Sequence, residues 1–174
     1  TSLSGSGLIQ KTNLSNALMT SSPTALKVSP FTTTSTTLFL GLKNGKLLKL
    51  TNANTVSATG TGWVDISSPN FVGSISDIEF GASEQEIYVT FFNYTVKNIW
   101  YTANGGTTWV EKEGNLPDMP VRCILRNPLR PEQVIIGTEL GTWWTQDFSS
   151  TSPTWYYGSN GMNSVKVTDL EMRD

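Results

Sequence analysis

Three tryptophans recur at a fixed spacing along this chain. They are Trp63, Trp109 and Trp155, and each lies 46 residues after the one before it. The residues around them also recur in the same order of residue types, so the spacing belongs to a repeated unit rather than to a single side chain. A chain built this way folds as a series of similar supersecondary units, each of which buries its apolar surface against its neighbours.

Each repeat contains four short segments with the composition of β-strands. Aliphatic, aromatic and threonine residues alternate with polar ones or form short apolar runs, and Gly, Asn or Pro separates the runs. First strands are predicted at 25–28, 76–80 and 122–125, second strands at 37–42, 87–91 and 134–138, and third strands at 46–50, 99–102 and 142–145. A fourth strand is predicted to begin at each tryptophan.

Four strands every 40–50 residues is the period of a β-propeller blade. A single four-stranded sheet has two apolar faces, and stacking sheets around an axis covers both. The sequence therefore predicts an all-β fold, a β-propeller of four-stranded antiparallel blades with about three complete blades in this chain. A β-sandwich with coincidental tryptophan spacing is the alternative.

The predicted blades begin and end inside the chain. Residues 1–24 are expected to hold the outer strand of a preceding blade (8–11) and a crossover loop, and residues 163–174 the inner strand of a further blade. The three blades are predicted at 25–67, 74–114 and 119–162. Because three blades do not close a ring, we expect either a longer protein or a homo-oligomer that completes the propeller.

Composition excludes several classes of function. The 174 residues include no His and a single Cys, Cys123, and the net charge is −2. These values exclude histidine-based catalysis and an internal disulfide, and they argue against nucleic-acid binding. No apolar run has the roughly 20 residues of a membrane span. We therefore expect no metal, no cofactor, no nucleic-acid partner and no membrane insertion.

The loop before the middle tryptophan carries a recognisable pattern. Residues 102–109 read Thr-Ala-Asn-Gly-Gly-Thr-Thr-Trp, which resembles the Asp-box of BNR repeats, Ser-x-Asp-x-Gly-x-Thr-Trp, with Thr in place of Ser and Asn in place of Asp. A short polar side chain accepts backbone N–H groups in such a turn, and glycine adopts positive φ. The positions that match the pattern or its stretched forms in the other repeats are Thr102, Asn104, Gly106, Thr108, Trp109, Asp147, Trp155 and Trp63.

The resemblance is to the BNR propellers of sortilin-like and xyloglucanase-like secreted proteins. It implies a structural role for the Asp-box residues, because these boxes lie at the blade periphery. A sialidase-like activity would require an arginine triad and an Arg-Ile-Pro signature that the sequence lacks. A xyloglucanase-like activity would require two carboxylates facing each other across a cleft, for which Glu139 and Asp118 are the weak candidates. Asp77 and Asp169 share one repeat position, which favours a repeated structural role.

Exposed aromatic residues on loops are typical of sugar-binding surfaces, because the apolar face of a sugar ring stacks on an aromatic ring. Tyr94, in the longest loop between second and third strands, Tyr156, and Glu139 are the candidate ligand-binding residues. The sequence thus predicts a non-catalytic module of a secreted, cell-surface or periplasmic bacterial protein that binds a polysaccharide or protein or serves as scaffold. A fragment of a glycoside hydrolase is the alternative.

Overall fold

The computed structural model describes residues 15–32, 34–55, 61–158, 161 and 164–172. The predicted outer strand at 8–11 lies outside these residues. Within them the chain forms twelve strands: β1 (Pro23–Val28), β2 (Leu38–Leu42), β3 (Leu47–Leu50), β4 (Trp63–Asp65), β5 (Ile75–Phe80), β6 (Ile87–Phe91), β7 (Ile99–Thr102), β8 (Val110–Glu111), β9 (Val121–Arg126), β10 (Val134–Thr138), β11 (Gly141–Thr145) and β12 (Tyr156–Tyr157).

The strands form three four-stranded sheets in the order of the sequence. The first sheet contains β1 to β4, the second β5 to β8 and the third β9 to β12, and every neighbouring pair is antiparallel. The all-β, partial-propeller prediction is confirmed. β4 begins at Trp63 as predicted, whereas β8 and β12 each hold two residues and begin one residue after their tryptophans.

The first strand of each sheet lies at a common centre. β5 contacts both β1 and β9, and β9 also contacts β6. The later strands of each sheet extend away from this centre, which makes β1, β5 and β9 the inner strands of radially arranged sheets.

Apolar side chains fill the spaces between successive sheets. Phe39 and Leu47 of the first sheet pack with Ile78, Phe80 and other residues of the second. Between the second and third sheets, buried residues from both meet around Trp155: Tyr88, Ile99, Val121, Ile124, Ile136 and Phe148. The face of the first sheet that points away from the second sheet carries a third apolar cluster. Leu18 and Met19 cover part of it. Trp109 thus packs between the first and second sheets and Trp155 between the second and third, whereas Trp63 belongs to the third cluster.

Close approach between sheets requires glycine in the second strand. A Cβ at Gly41 would lie 2.5 Å from Cγ2 of Ile75, and one at Gly137 would lie 2.7 Å from Cγ1 of Val167. Ile75 and Val167 occupy the same repeat position, two repeats apart. Residues 164–172 thus pack on the third sheet as β5 packs on the first.

Residues 164–172 form no β-ladder with another strand among the described residues. The N–H of Val167 donates to the carbonyl of Thr138 at 3.0 Å. A strand ladder requires a partner of complementary register, and the described part of the chain supplies none for this segment.

No helix in the described ranges has the length and apolar character needed to cross a membrane.

Candidate functional site

All three inner strands carry a β-bulge at the same repeat position. The register between first and second strands skips Thr24 in the first sheet, Ser76 in the second and Arg122 in the third. Bulges leave one residue without a ladder partner and redirect its side chain. The three bulge residues therefore reach the centre of the radial array together.

These residues line one recess of ≈ 260 Å³, together with Phe92 and Thr168. Thr168 follows Arg122 by one further repeat length. The recess thus collects the equivalent position from every described repeat at the common centre of the sheets, and concave sites with a few convergent polar groups are candidate ligand sites.

Arg122 is the charged group of this axial recess. Its Nε donates to Oε1 of Glu139 at 2.6 Å, and its Nη2 lies 2.5 Å from the same oxygen. The guanidinium also stands 4.0 Å from the centre of the Phe92 ring. The ion pair and the ring fix the guanidinium plane, and the N–H groups outside the ion pair remain able to donate to a ligand.

The hydroxyl groups of Ser76 and Thr24 are engaged within the protein. Ser76 Oγ donates to the carbonyl of Val121 at 2.6 Å and lies 2.8 Å from Oγ1 of Thr90. Thr24 Oγ1 donates to the carbonyl of Gly41 at 3.3 Å. Both hydroxyls tie bulged backbone in place, and Arg122 supplies the charged hydrogen-bond donor of the recess.

The two candidate catalytic carboxylates each have a structural partner, and the two partners lie in different parts of the chain. Glu139 holds Arg122, whereas Asp118 accepts the backbone N–H of Thr95 at 2.7 Å. Thr95 has a positive φ of 62°, and the bond from Asp118 stabilises that loop conformation. The arrangement required for a two-carboxylate hydrolysis is a pair flanking one cleft, and these two side chains serve different loops.

The candidate aromatic residues lie in separate places. Tyr94 is 58% exposed in the loop after β6. Tyr156 lies opposite Trp144 in the β11–β12 pair, with the ring centres 5.1 Å apart. Glu139 follows β10, whereas Tyr156 lies in β12, two strands further from the centre of the sheets. Two strand spacings amount to about 10 Å. Arg122, Phe92 and Glu139 come together, and Tyr156 lies apart from them.

The Asp-box positions form closed turns at the periphery. Thr102 Oγ1 accepts the N–H groups of Asn104 at 3.2 Å and Gly106 at 3.1 Å, and Asn104 Oδ1 accepts the N–H of Thr108 at 2.9 Å. Gly106 has a φ of 93°. In the next repeat Asp147 Oδ1 accepts the N–H of Thr154 at 3.0 Å, across the insertion.

The tryptophans of these turns bond the preceding crossover. Trp109 Nε1 donates to the carbonyl of Ile66 at 2.9 Å, and Trp155 Nε1 donates to the carbonyl of Lys112 at 3.0 Å. The two acceptors are themselves one repeat apart. Trp63 is buried in the first sheet. The indoles of Trp109 and Trp155 therefore connect the outer edge of the second and third sheets to the segment that leaves the preceding sheet.

Asp77 is a buried carboxylate with a structural environment. Burial raises its pKa, and the backbone N–H groups of Ile124 and Ile78 oppose that rise. Burial also raises the pKa of the Cys123 thiol to about 11, so this thiol is protonated at neutral pH and is a poor nucleophile. Among the described residues no group of three or more Asp, Glu, Cys or His side chains is arranged to hold a metal ion.

Sequence reasoning did not identify the axial recess. No sequence motif assigns a role to Arg122 or to Phe92. A signal was present, because Ser76, Arg122 and Thr168 are polar residues separated by the repeat length within apolar strands. The bulge that directs them inward is a property of strand pairing and leaves no separate mark in the sequence.

Comparison with known proteins finds solved structures with a similar fold. No family model matches the chain, and no curated protein matches it. Solved structures do match: a GH74 enzyme from Niastella koreensis aligns with a TM-score of 0.58 and 19% identity over 79% of this chain. An ancestral GH74 enzyme aligns with a TM-score of 0.53 and 17% identity over 80% of it.

The chain spans only a small part of these enzymes, 21% of the Niastella koreensis protein and 18% of the ancestral one. The computationally designed Ika4 protein is covered more fully: the alignment includes 89% of this chain and 82% of Ika4, with a TM-score of 0.56 and 16% identity. At these identities the likeness establishes the β-propeller architecture.

Proposed function

We propose that this chain is a BNR-type propeller module that binds a polysaccharide or protein ligand at the axial recess and has no hydrolase chemistry of its own. The observation that carries the proposal is the oriented guanidinium of Arg122, which the ion pair with Glu139 and the ring of Phe92 hold at the common centre of the sheets. A fixed guanidinium recognises ligand oxygen atoms with little loss of side-chain entropy.

The state of the carboxylates supports binding without catalysis. Glu139 is neutralised by Arg122, Asp118 closes a loop, and Asp77 accepts two backbone N–H groups. A glycosidase needs one carboxyl group with a raised pKa and a second one that is ionised beside the same scissile bond. Asp77 has the raised pKa, but both of its oxygens are engaged by the protein.

A test compares the unchanged chain with Arg122→Met on a glycan array and on a protein array. The expected result is binding that weakens about tenfold or more in the variant, because one charge-assisted hydrogen bond is lost. Arg130→Met, in the exposed turn after β9, is the matched control and should bind as the unchanged chain does. Binding that is insensitive to Arg122→Met would contradict the axial recess as the ligand site.

The alternative is that the chain is a fragment of a carbohydrate-active glycoside hydrolase. The likeness to GH74 enzymes supports it at the level of the fold. It predicts turnover of xyloglucan that Asp118→Asn or Glu139→Gln abolishes. We expect no turnover by this chain, and a rate above background that either substitution removes would overturn the binding proposal in favour of the hydrolase.

We further propose that another sheet covers the third one. Trp144 and Tyr156 are 38% and 47% exposed on the side away from the second sheet, and apolar sheet faces of this kind associate. Light scattering is expected to give a mass above the 19.0 kDa of one chain. Replacing Trp144 and Tyr156 by Glu should return the monomer mass, and a monomer before substitution would refute self-association.

For location we propose the cell exterior, the cell surface or the periplasm of a bacterium, as the resemblance to secreted BNR propellers implies. Fractionation of the source organism with an antibody to the chain tests this, and a signal confined to the cytoplasm would reject it.

A further inference from the structure

A groove lies between the second and third sheets, at the end of the strands opposite the axial recess. It measures ≈ 480 Å³, within the size range of small-ligand sites. Its walls come from the loops after β5 and β9 and from the Asp-box loop after β11. The axial recess is built instead at the start of β5 and β9. The two sites therefore share no side chain.

Three aromatic rings form the floor of this interblade groove. The ring centre of Tyr88 lies 5.1 Å from those of Tyr101 and Phe148, and Tyr101 lies 5.7 Å from Phe148. Tyr88 and Phe148 are almost fully buried, whereas Tyr101 is partly exposed. The floor thus offers apolar ring surface with phenolic hydroxyl groups, an arrangement suited to a ligand that has both an apolar face and polar substituents.

Arg126 lines the groove with an unsatisfied donor. Its Nε is buried and has no hydrogen-bond partner within the described residues. A buried N–H without a partner is costly, so such groups are usually met by water or a ligand. The other cation of the groove is already occupied: Lys112 Nζ donates to the carbonyls of Phe148 at 2.9 Å and Ser150 at 2.6 Å.

Two carboxylates supply acceptors at the rim. Glu86 accepts the N–H of Ala82 at 2.9 Å, and Glu132 accepts that of Ser149 at 3.0 Å. A carboxylate offers about four lone-pair sites, so each retains capacity for ligand donors. With Arg126 and Lys112 the formal charges of the four groups balance.

We propose that the interblade groove binds one end of a neutral oligosaccharide. The oligosaccharide presents an apolar sugar face to the aromatic floor, hydroxyl oxygens to Arg126 and to the phenolic hydroxyl of Tyr101, and hydroxyl donors to Glu86 and Glu132. An anionic ligand would meet two carboxylates, and a cationic ligand would meet a guanidinium and an ammonium group. The neutral polyhydroxylated ligand is the one whose donors and acceptors match the groove.

Calorimetric titration with tetrasaccharides tests the proposal. The neutral probes are cellotetraose, xylotetraose, mannotetraose and maltotetraose, and the charged probes are tetragalacturonate and chitosan tetraose. Binding of at least one neutral probe, tighter than either charged probe, is expected. Failure of every neutral probe to bind, or tighter binding of a charged probe, would overturn the proposal.

Variants then locate the site. Arg126→Met and Tyr101→Phe are each expected to weaken binding of the neutral probe about tenfold through the loss of one hydrogen bond, and Arg130→Met is the matched control. Tyr101→Phe keeps the ring and serves if Arg126→Met fails to fold. If neither variant weakens binding while Arg122→Met does, the oligosaccharide occupies the axial recess. That result would refute the groove proposal, and the proposed function would stand.

Discussion

The carboxylate of Asp77 joins two neighbouring sheets. Oδ1 accepts the N–H of Ile78 in its own strand at 2.8 Å, and Oδ2 accepts the N–H of Ile124, the inner strand of the next sheet, at 3.0 Å. Asp169 stands at the same repeat position and accepts the N–H of Leu170 at 2.9 Å in the same way. The Asp77 position thus provides a cross-sheet bond between the second and third sheets.

Asp77→Ala is expected to lower the free energy of unfolding by about 1–3 kcal/mol, because two buried N–H groups lose their acceptor. Asp169→Ala is the matched control, since Asp169 is exposed and its loss should change stability by about 0.5 kcal/mol or less. Urea denaturation of both variants makes the comparison. Equal effects would mean that the cross-sheet bond contributes nothing.

Trp155→Phe is expected to destabilise the chain by about 1–3 kcal/mol. The substitution leaves the carbonyl of Lys112 without its buried indole donor and leaves a small void beside Phe148. Trp109→Phe removes the equivalent bond to Ile66 from a less buried ring, so its effect should be smaller. Thermal unfolding followed by circular dichroism ranks the two, and the reverse order would count against burial as the cause.

Gly41→Ala should destabilise the interface between the first and second sheets by about 1–3 kcal/mol, because the new methyl group would overlap Ile75. Gly137→Ala would displace Cys123 and Val167 instead. Val167 belongs to a segment that pairs with no strand in the described ranges, but Cys123 is buried in β9, so the second substitution should destabilise the third sheet itself and leave β5 unaffected. Hydrogen exchange of β5 amides measures the first effect, and unchanged protection there would contradict the close contact.

The pH dependence of Glu113 has a definite sign. The side chain is 5% exposed, and burial raises its pKa, although the N–H groups of Asn98 and Ile99 oppose the rise. The folded state therefore holds the proton more tightly than the unfolded state, so the contribution of Glu113 to stability is present below its unfolded pKa and is lost as pH rises through the folded value.

Glu113→Gln should accordingly gain stability relative to the unchanged chain as the pH rises from about 4 to 7, the range that begins near the unfolded pKa of Glu. Urea denaturation at several pH values measures the difference between the two proteins, which cancels the opposite slopes of carboxylates with lowered pKa such as Asp65 and Glu84. A difference that does not vary with pH would refute the assignment.

The axial recess and the interblade groove show where sequence reasoning stops. The sequence predicts Glu139 as a candidate site residue, but its partner Arg122 is seventeen residues away along the chain and is brought close by pairing of β9 with β10. Arg126 and Tyr88 belong to different repeats, and the distance between them depends on how two sheets pack. No local pattern encodes either relationship.

The repeat itself was determined by the sequence alone. The 46-residue tryptophan spacing, the alternation within strands and the Gly, Asn and Thr residues of the turns specify four-stranded units, because each is a local requirement of backbone conformation or of burial on one face. Only the tertiary structure decided which side chains meet at the centre and between the sheets. Those contacts depend on bulges, sheet twist and inter-sheet packing, and these follow from the joint arrangement of residues that lie far apart in the chain.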